Sequence, residues 1–477
     1  MTETTTAAGA PRPSRRVGRI ARRAAALAAT ALLAGCAPDQ PGRVAAGFAA
    51  HALCSEAFVT GADPDALFES YVTPSLGALP AALTAWEADR ERQTVTARFA
   101  GMFRARAVHA PGRGCTLVHG PVDPAPLPLG PMAPDGPGLL PGLPDAPVPP
   151  ASPALAAALD RAFAETEGAP PRSRRAVVIV HDGTVVAERY APGFGPDSRL
   201  ASWSMAKSVT NALIGALSLA GRIEATAPAP VPAWRRPGDP HATVTTEQLL
   251  RQTSGQPFGA ANNGFDPATR MLFLEGDMAA VAAAAPFDAA PGTRWAYTDG
   301  NYAILGGILR DLMGGTPEAV ARASRALLFA PAGMTGAVQE FDEAGAPMAG
   351  THVFAPARDW ARLGQLFLSD GVVAGRRLLP AGWADWSARP TPQAGPGYGA
   401  GFWTNRGESE GARTRRGWGM PAGSYFASGH SGQTVVIAPE QRLVVVSMGF
   451  TPAPDALSTR RAAELTRDAI AALAPGG

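Results

Sequence analysis

The sequence predicts an α+β fold: an antiparallel sheet flanked by helices, with a mostly helical region inserted between its strands. Three observations carry this expectation. A hairpin pattern, Ala176 to Val180 and Thr184 to Tyr190 about the turn pair Asp182-Gly183, comes early in a large domain. Apolar strand runs, Gln433 to Ile437 and Leu443 to Met448, come at its end. Between them, to about Asp370, the pattern is helical or broken by loops, so the strands do not alternate with helices as βαβ units would.

Taken in order, residues 1–35 have the layout of an export signal, with six arginines ahead of an apolar core from Ala24 to Ala34 that is too short to span a bilayer. Leu33-Ala34-Gly35-Cys36 resembles a bacterial lipobox, in which the cysteine carries lipid and becomes the N-terminus. The expectation is a cell-envelope lipoprotein facing the periplasm, held at the outer membrane because Ala37 rather than aspartate follows Cys36. Removing residues 1–35 takes the formal charge from +2 to −3, so nothing electrostatic points to nucleic acid.

Residues 36–120 read as a small N-terminal module with a helix from Gly47 to Phe58 and strand-like runs such as Thr94 to Phe99. The chain is long enough for this module and the large domain each to hold a core. Cys54 and Cys115 are the cysteines left after Cys36; in an oxidising compartment they pair as a disulfide or stay as two buried thiols. Residues 121–151 form a linker, because 12 prolines between Pro121 and Pro150 sustain neither a helix nor a central strand. The large domain, 152–477, opens with a helix from Pro153 to Glu167. A second helix then carries Val209, Leu213, Leu217 and Ala220 on one apolar face and stops at Gly221. A last helix starts at Thr459 and runs past Ala472.

Chemistry enters at Ser202 to Gly215, SWSMAKSVTNALIG. Lys207 is the only lysine of the chain, against 41 arginines. Three residues after Ser204, it shares a helix face with that hydroxyl. A serine is a weak nucleophile until a base accepts its proton, and arginine never does so. Two later segments supply further polar groups: Trp295-Ala296-Tyr297-Thr298-Asp299 ahead of an apolar helix, and Gly429-His430-Ser431-Gly432-Gln433 leading into a strand. Each residue also has a plain structural reading. Ser204 could cap a helix, Tyr297 could be a packed aromatic with Tyr302 as its rival, and His430 could hold a strand end.

In this order the segments resemble the serine β-lactamase and DD-peptidase superfamily, with its Ser-x-x-Lys, Tyr-x-Asn and Lys/His-Ser/Thr-Gly motifs. The branch most similar is the class C β-lactamase-like one that includes 6-aminohexanoate-dimer hydrolases and family VIII esterases. Leu249 to Gly255 (LLRQTSG) and Ala357 to Gly364 (ARDWARLG) add to the likeness, which spans residues 175 to 450. The resemblance implies a β-lactamase-like fold and an acyl-enzyme on Ser204, with Lys207 taking its proton and Tyr297 passing protons onward. It implies an oxyanion hole from the backbone N–H groups of Ser204 and Gln433, and substrate contacts from His430, Ser431, Gly432 and Asp299. No metal or cofactor is expected, and the partner is a small amide or ester. The sequence departs from the motifs twice: Asp299 replaces the asparagine, and His430 replaces the lysine that would attract a β-lactam carboxylate. A carboxylesterase, a weak β-lactamase or a silent relative that binds cell-wall peptides are the alternatives.

Overall fold

The computed structural model describes residues 39–169, 171–256, 258, 264–451 and 454–474; the export signal and Cys36 lie outside these residues. Helix α1, Gln40–Ser55, starts with Pro41 in its first turn and is apolar nearly all round, so it must be covered on more than one side. One side packs on an antiparallel sheet of β1 (Thr84–Asp89), β2 (Thr94–Phe99), β3 (Phe103–Ala110) and β4 (Gly114–Leu117), paired in that order. The Cys54–Cys115 disulfide pins α1 to β4. The other side meets the large domain, where the Phe48 ring lies 5.6 Å from Phe273. The module therefore keeps no core to itself: Phe48, Leu53 and Val95 belong to the same buried cluster as Trp360 and Val444.

A polar seam reinforces this contact. Buried Glu340 accepts hydrogen bonds from Ser55 Oγ at 2.9 Å and from the Cys115 N–H at 2.8 Å, and it pairs with His51 at 3.1 Å. Glu56 meets Arg175 at 2.9 Å. The disulfide closes a loop between residues 61 apart. Replacing both cysteines with serine should therefore lower stability by roughly 4 kcal/mol in the chain-entropy account. Urea unfolding with an unchanged midpoint would contradict that.

The proline-rich segment has no regular secondary structure, as its composition requires, yet it is strapped to the large domain. Glu188 N–H donates to Val148 O, and the Ala151 N–H donates to Val186 O, covering the edge of the central sheet. Arg358 donates to the carbonyls of Pro144 and Ala146 at 2.6 and 3.0 Å, and Arg362 donates to Leu139 O at 2.9 Å. Part of the ARDWARLG stretch is thus a clamp on this strap.

Helix α2, Pro153–Phe163, is capped by Ser152, whose Oγ accepts from Leu155 N. It stops before the expected Glu167 because the Glu165 carboxylate turns back to accept from the Arg172 and Ser173 N–H groups. The hairpin of β5 (Arg174–His181) and β6 (Thr184–Tyr190) turns on Asp182 and Gly183, at φ 51° and 72°, as a two-residue primed turn needs. Then come α3 (Ala206–Leu219), α4 (Asp299–Leu312), α5 (Ala357–Leu368), β7 (Trp403–Thr404), β8 (Tyr425–Gly429), β9 (Gln433–Ala438), β10 (Leu443–Gly449) and α6 (Asp455–Leu473). The central sheet is six-stranded and antiparallel, in the order β7-β8-β9-β10-β5-β6.

Alternation along β5 sends Val177 and Ile179 to the face covered by α2 and α6, and Ala176, Val178 and Val180 to the face under α5. Gly364 in α5 permits that close packing, since a Cβ there would stand 2.5 Å from Val444. Helix α3 departs from the single apolar face expected: it is buried from Ala206 to Leu217. Its polar side chains are satisfied inside, with Ser208 donating to Gly401 O, Thr210 to Ala349 O and Asn211 to Ala400 O.

Candidate active site

The site begins with backbone strain. Trp203 adopts a left-handed φ of 44°, costly for an aromatic residue, and this folds the chain into one tight turn, Trp203–Met205, before α3. Ser202 anchors the turn, its Oγ accepting from the Val353 N–H at 3.0 Å. Ser204 thereby stands at the mouth of α3, and Lys207, one helical turn on, places Nζ 3.1 Å from its Oγ.

Lys207 is only 1% exposed. Its Nζ donates to Ser204 Oγ, to Gly350 O at 2.8 Å and to Asp299 Oδ1 at 2.5 Å, three acceptors for three ammonium protons. Burial pulls the Lys207 pKa down, but the Asp299 carboxylate and the Tyr297 hydroxyl raise it by more, and the net direction is upward. The Asp299 carboxylate reaches the cleft, where a substrate contact was expected of it, and its Oδ1 also serves as the counter-ion of the buried Lys207 charge.

Tyr297 is held by the LLRQTSG stretch. Gln252, at φ 64°, donates from Nε2 to Thr298 O at 2.9 Å, accepts from the Asn301 amide at 2.9 Å, and takes the Ala296 N–H on its backbone carbonyl. Thr298 then caps α4, its Oγ1 accepting from the Gly300 N–H. The Tyr297 ring stacks on Trp403 with centroids 5.4 Å apart, and its hydroxyl interacts with the side chains of both Ser204 and Lys207. Burial raises its pKa more than Lys207 lowers it, so it stands ready as a neutral phenol. Tyr302 is fully buried and spends its hydroxyl on Leu250 O at 3.0 Å, so of the two candidates it is Tyr297 that faces the cleft.

The third motif approaches through a glycine. A Cβ on Gly429 would lie 2.1 Å from Ser202 O, so only glycine lets the β8–β9 turn reach the Ser204 turn. His430 lines the cleft edge-on to Trp203, with Nδ1 3.4 Å from Asp455. Ser431 and Gly432, at φ 61° and 93°, shape the turn, and buried Gln433 uses its side chain to brace Gly449. None of these last three is among the described residues that line the cleft.

The cleft itself, about 1130 Å³, has a wall the sequence reading missed: Val44, Phe48, Tyr71, Leu76 and Phe99 all come from the N-terminal module. The available signal was α1, too apolar on every side to face water. Two other groupings have the residue types of a site. His51, Glu340 and His352 bring three buried ligand-type side chains together, within the seam where Glu340 Oε1 accepts from Ser55 and Cys115 and Oε2 lies 3.1 Å from His51 Nε2. Gly407-Glu408-Ser409-Glu410-Gly411 spells a Gly-x-Ser-x-Gly pattern, yet irregular chain separates Ser409 from β7, and its Oγ caps a short helix by accepting from the Ala412 N–H.

This sheet topology, with a Ser-x-x-Lys turn opening a central helix, is that of the serine hydrolases of the β-lactamase fold. The chain belongs to the beta-lactamase family, whose profile matches residues 159–467 and leaves the N-terminal module outside. Over 309 residues it is 26% identical to the 6-aminohexanoate-dimer hydrolase of Paenarthrobacter ureafaciens, covering 59% of this chain and 73% of that protein. Among solved structures, one described as a 6-aminohexanoate-dimer hydrolase from Bacillus anthracis superposes with a TM-score of 0.53 at 22% identity, over 71% of this chain and 88% of that one. EstCE1, described as a hydrolase with promiscuous acyltransferase activity, gives 0.52 at 16%, over 66% and 98%. At such identities the two structures establish the fold.

Asp299→Asn tests the ion pair. Without the carboxylate, burial dominates and the Lys207 pKa falls. The pH-dependent rise in acylation should therefore move to lower pH. Its plateau should drop on the order of tenfold, because the ammonium formed on proton transfer has lost its counter-ion. Stability carries the same sign: Lys207 is held above its ordinary value, so the pair stabilises the fold fully below the lysine range and loses that contribution as pH rises through the elevated value. A pH–rate profile and an alkaline melting curve both unchanged in the variant would contradict this account.

Proposed function

We propose that the chain is an exported, lipid-anchored serine hydrolase that cleaves an amide or ester through an acyl-enzyme on Ser204. The observation that carries the reading is the 3.1 Å contact between Lys207 Nζ and Ser204 Oγ, with the Tyr297 hydroxyl beside both. Ser204 Oγ attacks the substrate carbonyl and gives its proton to the neutral fraction of Lys207, and Asp299 stabilises the ammonium that results. Tyr297 hands a proton to the departing amine or alcohol; in deacylation the tyrosinate takes one from the attacking water, and Lys207 returns its proton to Ser204 Oγ as the acyl group leaves. The Ser204 N–H holds the oxyanion, and His430 orients substrate at the rim.

The cleft suits uncharged substrates better than β-lactams. Arg415 reaches it, but its guanidinium is spent on Asn405 Oδ1, Pro396 O and Thr404 O, and His430 sits beside the Asp455 carboxylate. A panel of p-nitrophenyl esters, short amides, a cephalosporin and D-amino-acid peptides, run on the wild type and Ser204→Ala, tests the reading. Ester or amide turnover that vanishes in the variant, with cephalosporin turned over far more slowly, is expected. Turnover that survives in Ser204→Ala, or none on any substrate, would overturn it.

Anchoring rests on Cys36 in its lipobox and places the enzyme at the periplasmic side of the outer membrane. Among the described residues no helix is long and apolar enough to cross a membrane. Cys36→Ser should release the protein from the membrane fraction; full retention with an uncleaved N-terminus would contradict the anchor.

A further inference from the structure

We infer that the N-terminal module is the acyl-binding wall of the Ser204 cleft, and that the substrates are uncharged esters or amides with a medium- to long-chain apolar acyl group. The inference rests on the hydrolase reading above and adds to it the side of the site that lies outside the family match.

The module touches the reacting centre directly. The Tyr71 ring lies 5.4 Å from that of Trp203, the residue before Ser204, and 6.0 Å from that of His430. Phe48 continues the aromatic surface, 5.8 Å from Tyr71 and 5.6 Å from Phe273. Leu76 and Phe99 complete the module's side, while Leu272, Trp403 and Trp418 face them from the large domain. A cavity of about 1130 Å³ bounded mainly by such groups would exceed what a short acetyl or aminoacyl group fills. Apolar surface around a nucleophile favours an acyl chain that leaves water on entering it.

The two basic side chains of the described lining are already partnered: each Arg415 nitrogen donates to a protein acceptor, Asn405 Oδ1, Pro396 O or Thr404 O, and His430 Nδ1 lies 3.4 Å from Asp455. Glu410 and Asp455 border the cavity and disfavour an anionic chain end. The acyl side is favoured over the leaving-group side because the acyl group stays on Ser204 through both chemical steps and needs the lasting site.

The test uses the full mature chain and p-nitrophenyl esters of acetate, butyrate, octanoate and laurate, with the matching p-nitroanilides. Each fully buried methylene raises kcat/KM about fourfold and octanoate carries six more methylenes than acetate, so burial of about half of them makes octanoate exceed acetate by at least about thirtyfold. Leu76→Asp and Phe99→Asp, both at half-buried positions, should each cut the octanoate-to-acetate ratio at least about tenfold, with melting temperature measured alongside. Hydrolysis with a flat or falling chain-length profile, a ratio untouched in both variants, or a dependence on alcohol rather than acyl length would overturn the acyl wall and leave the hydrolase intact. No turnover at any length, with Ser204 unreactive to a fluorophosphonate, would overturn the hydrolase reading and this one with it.

Discussion

Lys207→Arg is expected to lose acylation by at least about a hundredfold. This chain uses arginine at 41 positions and lysine at one, so a position that rejects arginine must need something a guanidinium cannot do. The structure supplies two reasons. Proton transfer is the first: a guanidinium stays charged at every accessible pH, whereas the amine can give up its extra proton despite an elevated pKa. The second is shape. Nζ sits in a closed pocket with three acceptors around one point, and a planar five-donor group would meet Gly350 and the Tyr297 and Tyr302 rings. The sequence alone suggests that the variant folds normally; the burial of Lys207 makes a packing cost the expected result. Lys207→Met keeps chain length without charge and should lose acylation to the same extent. Stopped-flow acylation within a few fold of wild type in folded Lys207→Arg would show that the lysine supplies only charge.

Tyr297→Phe should also lose on the order of a hundredfold, while the fold is retained. The ring keeps its stacking on Trp403 and its contact with Tyr398, and only the hydroxyl beside Ser204 and Lys207 is removed. Its cost should fall on both acylation and deacylation, because the phenol serves the leaving group and then the water. Near-normal turnover, with the melting temperature unchanged, would take the proton path away from Tyr297.

What was legible in the sequence was local. The hairpin at Asp182-Gly183, the late strands and the Ser204–Lys207 turn depend on near neighbours, and the structure reproduces them within a residue or two. The roles of the supporting stretches were not legible, because they are long-range: Gln252 buttresses the Tyr297 loop, and Arg358 binds a strap more than 200 residues away. Asp299 was read by its place in a motif, whereas its partner Lys207 lies 92 residues earlier and is found only by folding. The module's part in the cleft was hidden for the same reason. Tyr71, in a segment with no motif, meets Trp203 through a packed interface that pattern reading does not see.

Covalent labelling tests the central claim most directly. The purified mature chain, treated with a fluorophosphonate and examined by intact mass and peptide mapping, should carry a single adduct on Ser204, at a rate that collapses in Lys207→Arg and with no adduct in Ser204→Ala. An unlabelled protein, or an adduct on another serine such as Ser409, would contradict the account.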